Sequence, residues 1–263
     1  MLKRELKING KSFMIWTSIL VLLFLIVALI YPSIINHDNI QMMDEFMKLF
    51  PEEILKAFNM DISSIDSFYG WLKTEGFVFV LLITGVYASI LGSNLLVKEE
   101  DDKTIEYLNS LPITRNHILS SKIVCGTIYI VLMVVIVGIF NYILLRLSGD
   151  FNEKQYLLLS ITPLFSSLPL FALNLFLSTF THKTKKMLGI SLGIVFISYF
   201  LQILSEINEV TEFLKYFTVY TLADIRHVIT NVELQVSFVV ISLLITLLFG
   251  IGTYIRYNKK ELV

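Results

Sequence analysis

The chain has 263 residues, of which 55% are hydrophobic and 16% are charged, with a formal net charge of −1 at pH 7. Soluble domains carry about 25% charged residues, so this composition excludes an ordinary soluble domain. The single cysteine, Cys125, lies within an apolar run. Because the chain has no second cysteine, an intrachain disulfide is excluded.

Residues 2–13, "LKRELKINGKSF", mix basic and apolar side chains ahead of the first long apolar run. Such a mixture predicts a short N-terminal elbow helix that lies in the membrane interface, with its lysines near anionic headgroups. The apolar run that follows is longer than the core of a signal peptide and is not followed by a small-residue cleavage site. We therefore expect it to be retained as a membrane helix.

Six apolar runs are long enough to cross a bilayer as helices, because about 20 mostly apolar residues span a hydrocarbon core of about 30 Å. None of them alternates polar and apolar residues as the strands of a membrane barrel do. Their approximate bounds are 14–35, 76–97, 123–146, 156–180, 187–204 and 234–256. The sequence therefore predicts an all-α integral membrane fold with six transmembrane helices, and we expect residues 1–263 to form one transmembrane domain.

Lysine and arginine are unevenly divided between alternate loops. The two ends of the chain and the loops after the second and fourth spans carry 14 of these residues, whereas the other three loops carry 7. Cytoplasmic loops are enriched in basic residues, so both termini are expected in the cytoplasm.

The loops assigned to the outer face contain apolar residues at helical spacing. "NIQMMDEFMKLFPEEILKAFNMD" in the first loop predicts two short extracellular amphipathic helices. These helices either cap the bundle or contact an amphipathic cargo. In the last outer loop the same spacing predicts another surface or re-entrant helix, and it involves Val210, Phe213, Leu214, Phe217 and Tyr220.

The charged segment "EEDDKTIEYLNSLPITRNHILSSK", residues 99–122, separates the second and third spans. Residues 103–111 are predicted to form a helix with an apolar face at Ile105, Leu108 and Leu111 and with acids at its positive end. Pro112 ends that helix, and Thr114 is expected to cap a second helix. The apolar face either lies on the bilayer or enters a groove on a cytoplasmic partner.

The fourth span contains Pro163 and Pro169, which predict kinks. These prolines and Asn174 are candidates for a cargo path or kink, although proline is also common in membrane helices. "GISLG" at 189–193 has the spacing that permits close helix contact.

Catalytic and metal-binding signatures are missing from the sequence. The four histidines are scattered, and neither H-E-x-x-H nor G-x-S-x-G occurs. No catalytic site, cofactor site or metal site is therefore expected in this chain. No span centre holds a clear ionisable residue, which argues against transport driven by protons or sodium.

Residues 99–122 resemble the cytoplasmic signature of ABC-2 type transporter permeases, and the block "PITR" is its most specific part. The matching positions are Glu100, Thr104, Ile105, Glu106, Leu108, Pro112, Ile113, Thr114, Arg115 and Lys122. Lys103 departs from the family pattern, which usually has glycine there. "RELKINGKSFMIW" and "YNKKEL" are similar to the beginning and end of family members, and "FPEEILKAFNM" is similar to one export subgroup.

The resemblance implies a six-helix exporter permease that pairs with a second permease copy and with cytoplasmic ATPase subunits, which would hold ATP and Mg. It implies a coupling helix before Pro112 that docks into the ATPase, with Pro112 and Thr114 fixing the elbow. Leu108 and Leu111 would fill the groove. The implied contact residues are Thr104, Ile105, Glu106, Leu108, Leu111, Pro112, Ile113, Thr114 and Arg115.

The resemblance also implies a bacterial plasma-membrane location, with membrane lipids as neighbours and no nucleic-acid partner. The cargo is expected to be hydrophobic or amphipathic, with peptides or antibiotics favoured over lipids, polysaccharides and drugs. Two alternatives remain open at this point. One is a non-transporting scaffold or sensor with a permease fold, and the other is an ion-coupled carrier.

Overall fold

A computed structural model describes residues 1–34, 45, 48–50, 67–105 and 112–260. These residues contain helices and turns and no strand. The elements are α1 (Leu2–Ile34), α2 (Phe68–Trp71), a π-helical stretch (Leu72–Gly76), α3 (Phe77–Asp101), α4 (Arg115–Ser148), α5 (Glu153–Ser178), α6 (Thr184–Ser205), two 3-10 turns (Glu212–Phe217 and Tyr220–Ala223), α7 (Ile225–Asn231) and α8 (Val236–Lys259).

Six of the described helical segments are long and apolar enough to cross a membrane, which confirms the predicted all-α membrane fold. They are α1, the segment from α2 through α3, and α4, α5, α6 and α8. The segment from α2 through α3 and α5 are the most buried of the six. α3 packs against α5, α6 and α4, whereas α1 packs against α4 and α8 packs against α5.

The N-terminus differs from the prediction, because α1 is one continuous helix of 33 residues rather than an elbow helix followed by a span. Asn9 and Gly10 do not interrupt it. Asn9 Nδ2 donates to Glu5 O at 3.0 Å inside the helix, and Tyr129 Oη from α4 donates to Leu6 O. At 1.5 Å per residue α1 is about 50 Å long, so it extends well beyond a hydrocarbon core of about 30 Å.

α3 and α5 approach closely at a glycine. A Cβ on Gly92 would lie 2.5 Å from Phe171 O, so only glycine fits between the two backbones. The predicted close contact at "GISLG" is not seen within the described chain, where a Cβ on Gly189 or Gly193 would meet no atom within 4 Å.

α5 runs through both of its prolines as a single helix. A proline leaves the carbonyl four residues earlier without its helical N–H donor, and in lipid that carbonyl needs another partner. For Pro163, Thr162 Oγ1 donates to the freed Leu159 O at 2.9 Å. For Pro169, Ser242 Oγ from α8 donates to the freed Phe165 O at 2.7 Å.

The segment between α6 and α8 forms two short 3-10 turns and the short helix α7 rather than one surface or re-entrant helix through residues 210–220. Thr218 has an extended backbone, and Asp224 has the left-handed conformation with φ 40°, so a continuous helix is broken at both positions. Phe213 and Phe217 are exposed, whereas Tyr220 is buried. The two amphipathic helices predicted in the first outer loop lie almost entirely outside the described residues.

The N-terminus and Lys260, the last described residue, lie at the same end of the bundle, together with the end of α3 and the starts of α4 and α6. We call this the terminus end and the other the opposite end.

Candidate functional site

α3 ends at an acidic run, Glu99, Glu100 and Asp101, directly before the 103–114 segment. The N–H of Thr104 donates to Glu99 O at 2.8 Å, and the N–H of Lys103 donates to Glu100 O at 3.2 Å. These two bonds form a Schellman motif, in which the residue after the cap adopts the left-handed conformation. Lys103 is that residue, with φ 56°. It therefore terminates α3.

This geometry corrects the prediction that a helix begins at Lys103 with the acidic residues at its positive end. The acidic run occupies the last turn of α3, at the negative end of that helix. Its carboxylates need cations from elsewhere in the fold. Glycine, which the resemblance to the family implies at this position, would adopt the left-handed backbone without steric cost.

Glu99 belongs to a buried group of charges that joins three helices. Its Oε1 lies 3.2 Å from Arg4 Nη1 of α1, and its Oε2 lies 3.0 Å from Lys122 Nζ of α4. Lys122 Nζ also lies 3.3 Å from Glu5 Oε2. Lys122, Glu5 and Glu99 are only 1%, 2% and 8% exposed. Buried charges of this kind are retained only when each is paired.

Glu100 holds the C-terminal end of the described chain and the loop between α5 and α6. Lys260 Nζ donates to Glu100 Oε1 at 2.8 Å and to Thr181 O at 2.9 Å. His182 Nδ1 lies within hydrogen-bonding distance of Glu100 Oε2. Arg115 Nη1, at the start of α4, donates to Lys260 O at 3.0 Å.

Asp101 caps α6 from a different helix. Its Oδ2 accepts the backbone N–H of Thr184 at 3.1 Å, and its Oδ1 accepts Lys183 Nζ at 3.2 Å. A carboxylate near the first turn of a helix satisfies a free N–H and interacts favourably with the positive end of the helix dipole. Lys183, the capping residue in sequence, makes no capping bond with its own side chain.

Successive residues of a helix point about 100° apart, so three consecutive carboxylates contact three different parts of the fold. We call the whole group the terminus-end cluster: Arg4, Glu5, Glu99, Glu100, Asp101, Lys122, His182, Lys183 and Lys260. It joins both ends of the chain to the helices on either side of the 103–114 segment. A displacement of that segment would therefore act on α1, α3, α4 and α6 together.

The predicted contact residues of the 103–114 segment have different environments. Ile105 is 2% exposed and packs with Ile118, Met1 and Ile113. Its side chain is therefore buried against residues of this chain. Thr104 and Pro112 are exposed, and Ile113 is partly exposed. Glu106, Leu108 and Leu111 lie outside the described residues.

The predicted second helix of this segment is confirmed at its first residue. α4 begins at Arg115, and the Thr114 side chain accepts the backbone N–H of His117 at 3.3 Å. The extended backbone of Thr114, with φ −76° and ψ 150°, is the usual conformation of a capping residue.

The candidate residues of the fourth span are all buried. Pro163, Pro169 and Asn174 face neighbouring helices. Asn174 Nδ2 donates to Leu170 O of its own helix at 2.8 Å, while Asn174 Oδ1 has no hydrogen-bond partner within the described chain. These three residues lie within α5 and not in the terminus-end cluster.

Sequence reasoning missed most of the cations in the terminus-end cluster. It counted Arg4, Lys183 and Lys260 only as basic residues for orientation, and it left Glu5 and His182 without a role. The available signal was charge complementarity, because an acidic run sits among basic segments that share one side of the membrane. Within the described residues, no group of three or more His, Cys, Asp and Glu side chains is placed to hold a metal ion.

Comparison with known proteins gives one clear result. The profile of a family described as "ABC-2 family transporter protein" matches residues 2–262. A comparison with curated proteins finds no match. Because the family match covers nearly the whole chain and the fold has six membrane-length helices, this chain belongs to the ABC-2 family of transporter proteins.

Proposed function

We propose that this chain is the permease subunit of an ATP-driven ABC exporter. The ABC-2 family is the membrane component of such transporters, it is not itself catalytic, and it implies partnership with an ABC ATPase. The observation that carries the proposal is the terminus-end cluster, whose acidic run directly precedes the 103–114 segment and is bonded to both ends of the chain.

The 103–114 segment serves as the coupling element that docks on the ATPase. Leu108 and Leu111 fill an apolar groove of the partner, while Glu106 and Arg115 set the orientation. Thr104, Pro112, Ile113 and Thr114 line the same contact. Ile105 has a different role, because its packing with Ile118 anchors the segment to α4.

ATP binding by the partner supplies the free energy, and this chain converts it into helix movement. Docking displaces the 103–114 segment, and the acidic run transmits the displacement from α3 to the three helices that it contacts, α1, α4 and α6. Two arrangements of the bundle, open to one side or the other, are then populated differently in the two nucleotide states. Buried ion pairs suit this role because each has a defined geometry and is costly to break.

The terminus end faces the cytoplasm of a bacterial plasma membrane, and the permease works as a pair of copies, each with residues 1–263 as one transmembrane domain. The excess of basic residues in the loops at this end supports the orientation. The cargo is hydrophobic or amphipathic, with peptides and antibiotics as the leading class. Pro163, Pro169 and Asn174 belong to the helix that lines its path.

The proposal is tested by the double substitution Leu108→Asp plus Leu111→Asp in a strain that carries the ATPase encoded nearest to this gene. We expect ATPase co-purification and cargo efflux to be lost. Val210→Asp is the matched control, because Val210 is 81% exposed at the opposite end, and it should retain both. Unchanged co-purification and efflux in the double variant would refute the docking role. Efflux that persists with a hydrolysis-deficient ATPase would indicate an ion-coupled carrier.

Orientation has its own test in a Cys125→Ala background, where the chain has no other cysteine. Lys3→Cys and Val210→Cys place single thiols at exposed positions at the two ends of the bundle. In intact cells a membrane-impermeant maleimide should label only the cysteine at 210. Labelling of the cysteine at position 3 alone would reverse the orientation.

A further inference from the structure

A cavity of about 260 Å³ opens at the opposite end of the bundle. The π-helical stretch and the start of α3 form one wall, the end of α6 forms the second, and the 220–226 segment forms the third. Its lining combines three acidic side chains with aromatic rings. We call it the opposite-end cavity.

The charges in this cavity are not balanced. Arg226 Nη2 lies 2.8 Å from Glu206 Oε2, and Gln202 Nε2 donates to Glu206 Oε1 at 2.7 Å. Glu75 has neither an ion pair nor a hydrogen bond from its side chain to any other described residue, and Asp224 Oδ2 is buried without a hydrogen-bond partner there. Two carboxyl groups therefore line the cavity in addition to the paired Glu206.

Burial strengthens the need for a cation. Loss of water contact raises the pKa of Asp224 and of Glu206 above their ordinary values, which means that ionisation costs more here than in water. This rise at Asp224 is opposed first by a hydrogen bond from the backbone of His227, and then by the nearby His227 and Lys215 side chains. Lys215 Nζ is already bonded to Glu212 Oε1 at 2.6 Å.

The walls suit an organic cation better than a metal ion. The rings of Tyr199 and Tyr220 meet edge to face at a centroid distance of 5.8 Å, and Phe79 contributes a third ring to the lining. Aromatic faces attract ammonium and guanidinium groups. Tyr220 is 3% exposed, and its Oη packs against Gly85 of α3 without a hydrogen-bond partner in the described part of the chain, so this residue contributes its ring to the wall. Mg²⁺ and Ca²⁺ would require six or more oxygen ligands.

We propose that the opposite-end cavity binds the protonated amine of an amphipathic cargo, with Glu75 and Asp224 as its counter-ions and the aromatic walls around its apolar body. This inference deepens the proposed function and rests on it, because it names the charge that an exported molecule carries as it leaves. At about 260 Å³ the cavity is slightly smaller than the roughly 300–1,000 Å³ of common small-ligand sites, but it has their mixture of apolar walls and a few polar groups.

The experiment uses the full chain in lipid nanodiscs without any ATPase, with empty discs as the blank. The probe is a dansylated Phe-Lys-Phe amide, whose only charge is the lysine ammonium, and the matched probe carries Nε-acetyl-lysine. Fluorescence anisotropy should show the charged probe binding at least about tenfold more tightly than the acetylated one. Equal binding of the two probes would overturn the proposal.

Glu75→Gln and Asp224→Asn should each weaken binding of the charged probe by about fivefold or more. Glu209→Gln is the matched control, because Glu209 is an exposed carboxyl at the same end that does not line the cavity. The affinity of this variant for the charged probe should stay within about twofold of the wild type. An equal loss in the control would mean that surface charge alone attracts the probe. Unchanged affinity in both cavity variants would also overturn the proposal.

Thermal unfolding in the same discs checks that each variant is folded. Should Glu75→Gln fail to fold, Asp224→Asn still decides the question, because asparagine tolerates the left-handed backbone at that position. ATPase co-purification is measured on the same variants. Binding of the probe to the cavity and its loss in the Glu75 and Asp224 variants test this inference alone, provided that these variants still co-purify with the ATPase. Co-purification of the ATPase with the Leu108 and Leu111 variant tests the proposed function separately.

Discussion

Lys122 Nζ lies 3.0 Å from Glu99 Oε2. This ion pair joins α3, which precedes the 103–114 segment, to α4, which follows it. Both side chains are almost fully buried, and Glu5 of α1 completes the contact. The two ends of the segment are therefore held together by charge. This ion pairing fixes the two ends of the segment relative to each other.

Lys122→Met tests how much this ion pairing contributes to stability. The substitution keeps the length of the side chain but leaves Glu5 and Glu99, among the described residues, with Arg4 alone as a cationic partner. We therefore expect the free energy of unfolding to fall by about 3–5 kcal/mol. Thermal or denaturant unfolding in detergent measures the change. The control is Lys215→Met, which breaks a partly exposed pair with Glu212 and should cost at most about 1 kcal/mol. Equal effects would show that the buried cluster is not a major source of stability.

Lys103→Gly is expected to stabilise the protein. Lys103 has φ 56°, a conformation that costs a non-glycine residue roughly 1–2 kcal/mol. Glycine removes this cost, but its greater freedom in the unfolded chain offsets part of the stabilisation. We expect a net gain of up to about 1 kcal/mol, measured as a rise in Tm. Lys98→Gly, in the helical last turns of α3, should instead cost about 1 kcal/mol. Destabilisation by both changes would contradict the Schellman assignment.

Asp224→Asn should raise Tm at pH 7.5 but not at pH 2.5. Burial raises the pKa of Asp224 above its ordinary value of 3.8, so the folded state binds this proton more tightly than the unfolded state. Stability is therefore lost as the pH rises from about 3.8 through the folded pKa, and the full penalty is present above that window. Below it the carboxyl is neutral in both states and carries no penalty. Melting curves of both proteins at the two pH values measure the difference, and an equal shift at both would refute the assignment.

Ser242 and Pro169 should be coupled in a double-mutant cycle. Ser242→Ala removes the hydroxyl that donates to Phe165 O, whose helical donor is missing because of Pro169, and we expect a loss of about 1 kcal/mol. In a Pro169→Ala background the carbonyl regains a backbone N–H, so the same serine substitution should cost much less. Denaturant unfolding of the four proteins gives the coupling energy. Additive effects would mean that the hydroxyl does not replace the missing backbone bond.

Local features of the sequence were sufficient for the six membrane helices and for the cap of α4. Hydrophobicity and length are properties of each segment alone, so six membrane helices follow from runs such as 123–146 without knowledge of their neighbours. The cap at Thr114 was equally predictable, because its bond reaches only three residues along the chain. The elbow at residues 2–13 was mispredicted because packing against Tyr129, which is distant in sequence, continues the helix.

Hydrophobicity and length along the chain are enough to identify a six-helix membrane protein and to locate the start of its charged segment. What the charges of that segment contact depends on how the helices pack. Glu100 and Lys260 are 160 positions apart, and no local pattern pairs residues at that separation, because their distance depends on how α3, α5 and α8 pack. The opposite-end cavity has the same origin, since Glu75, Glu206 and Asp224 come from three separate segments that meet only in the folded bundle.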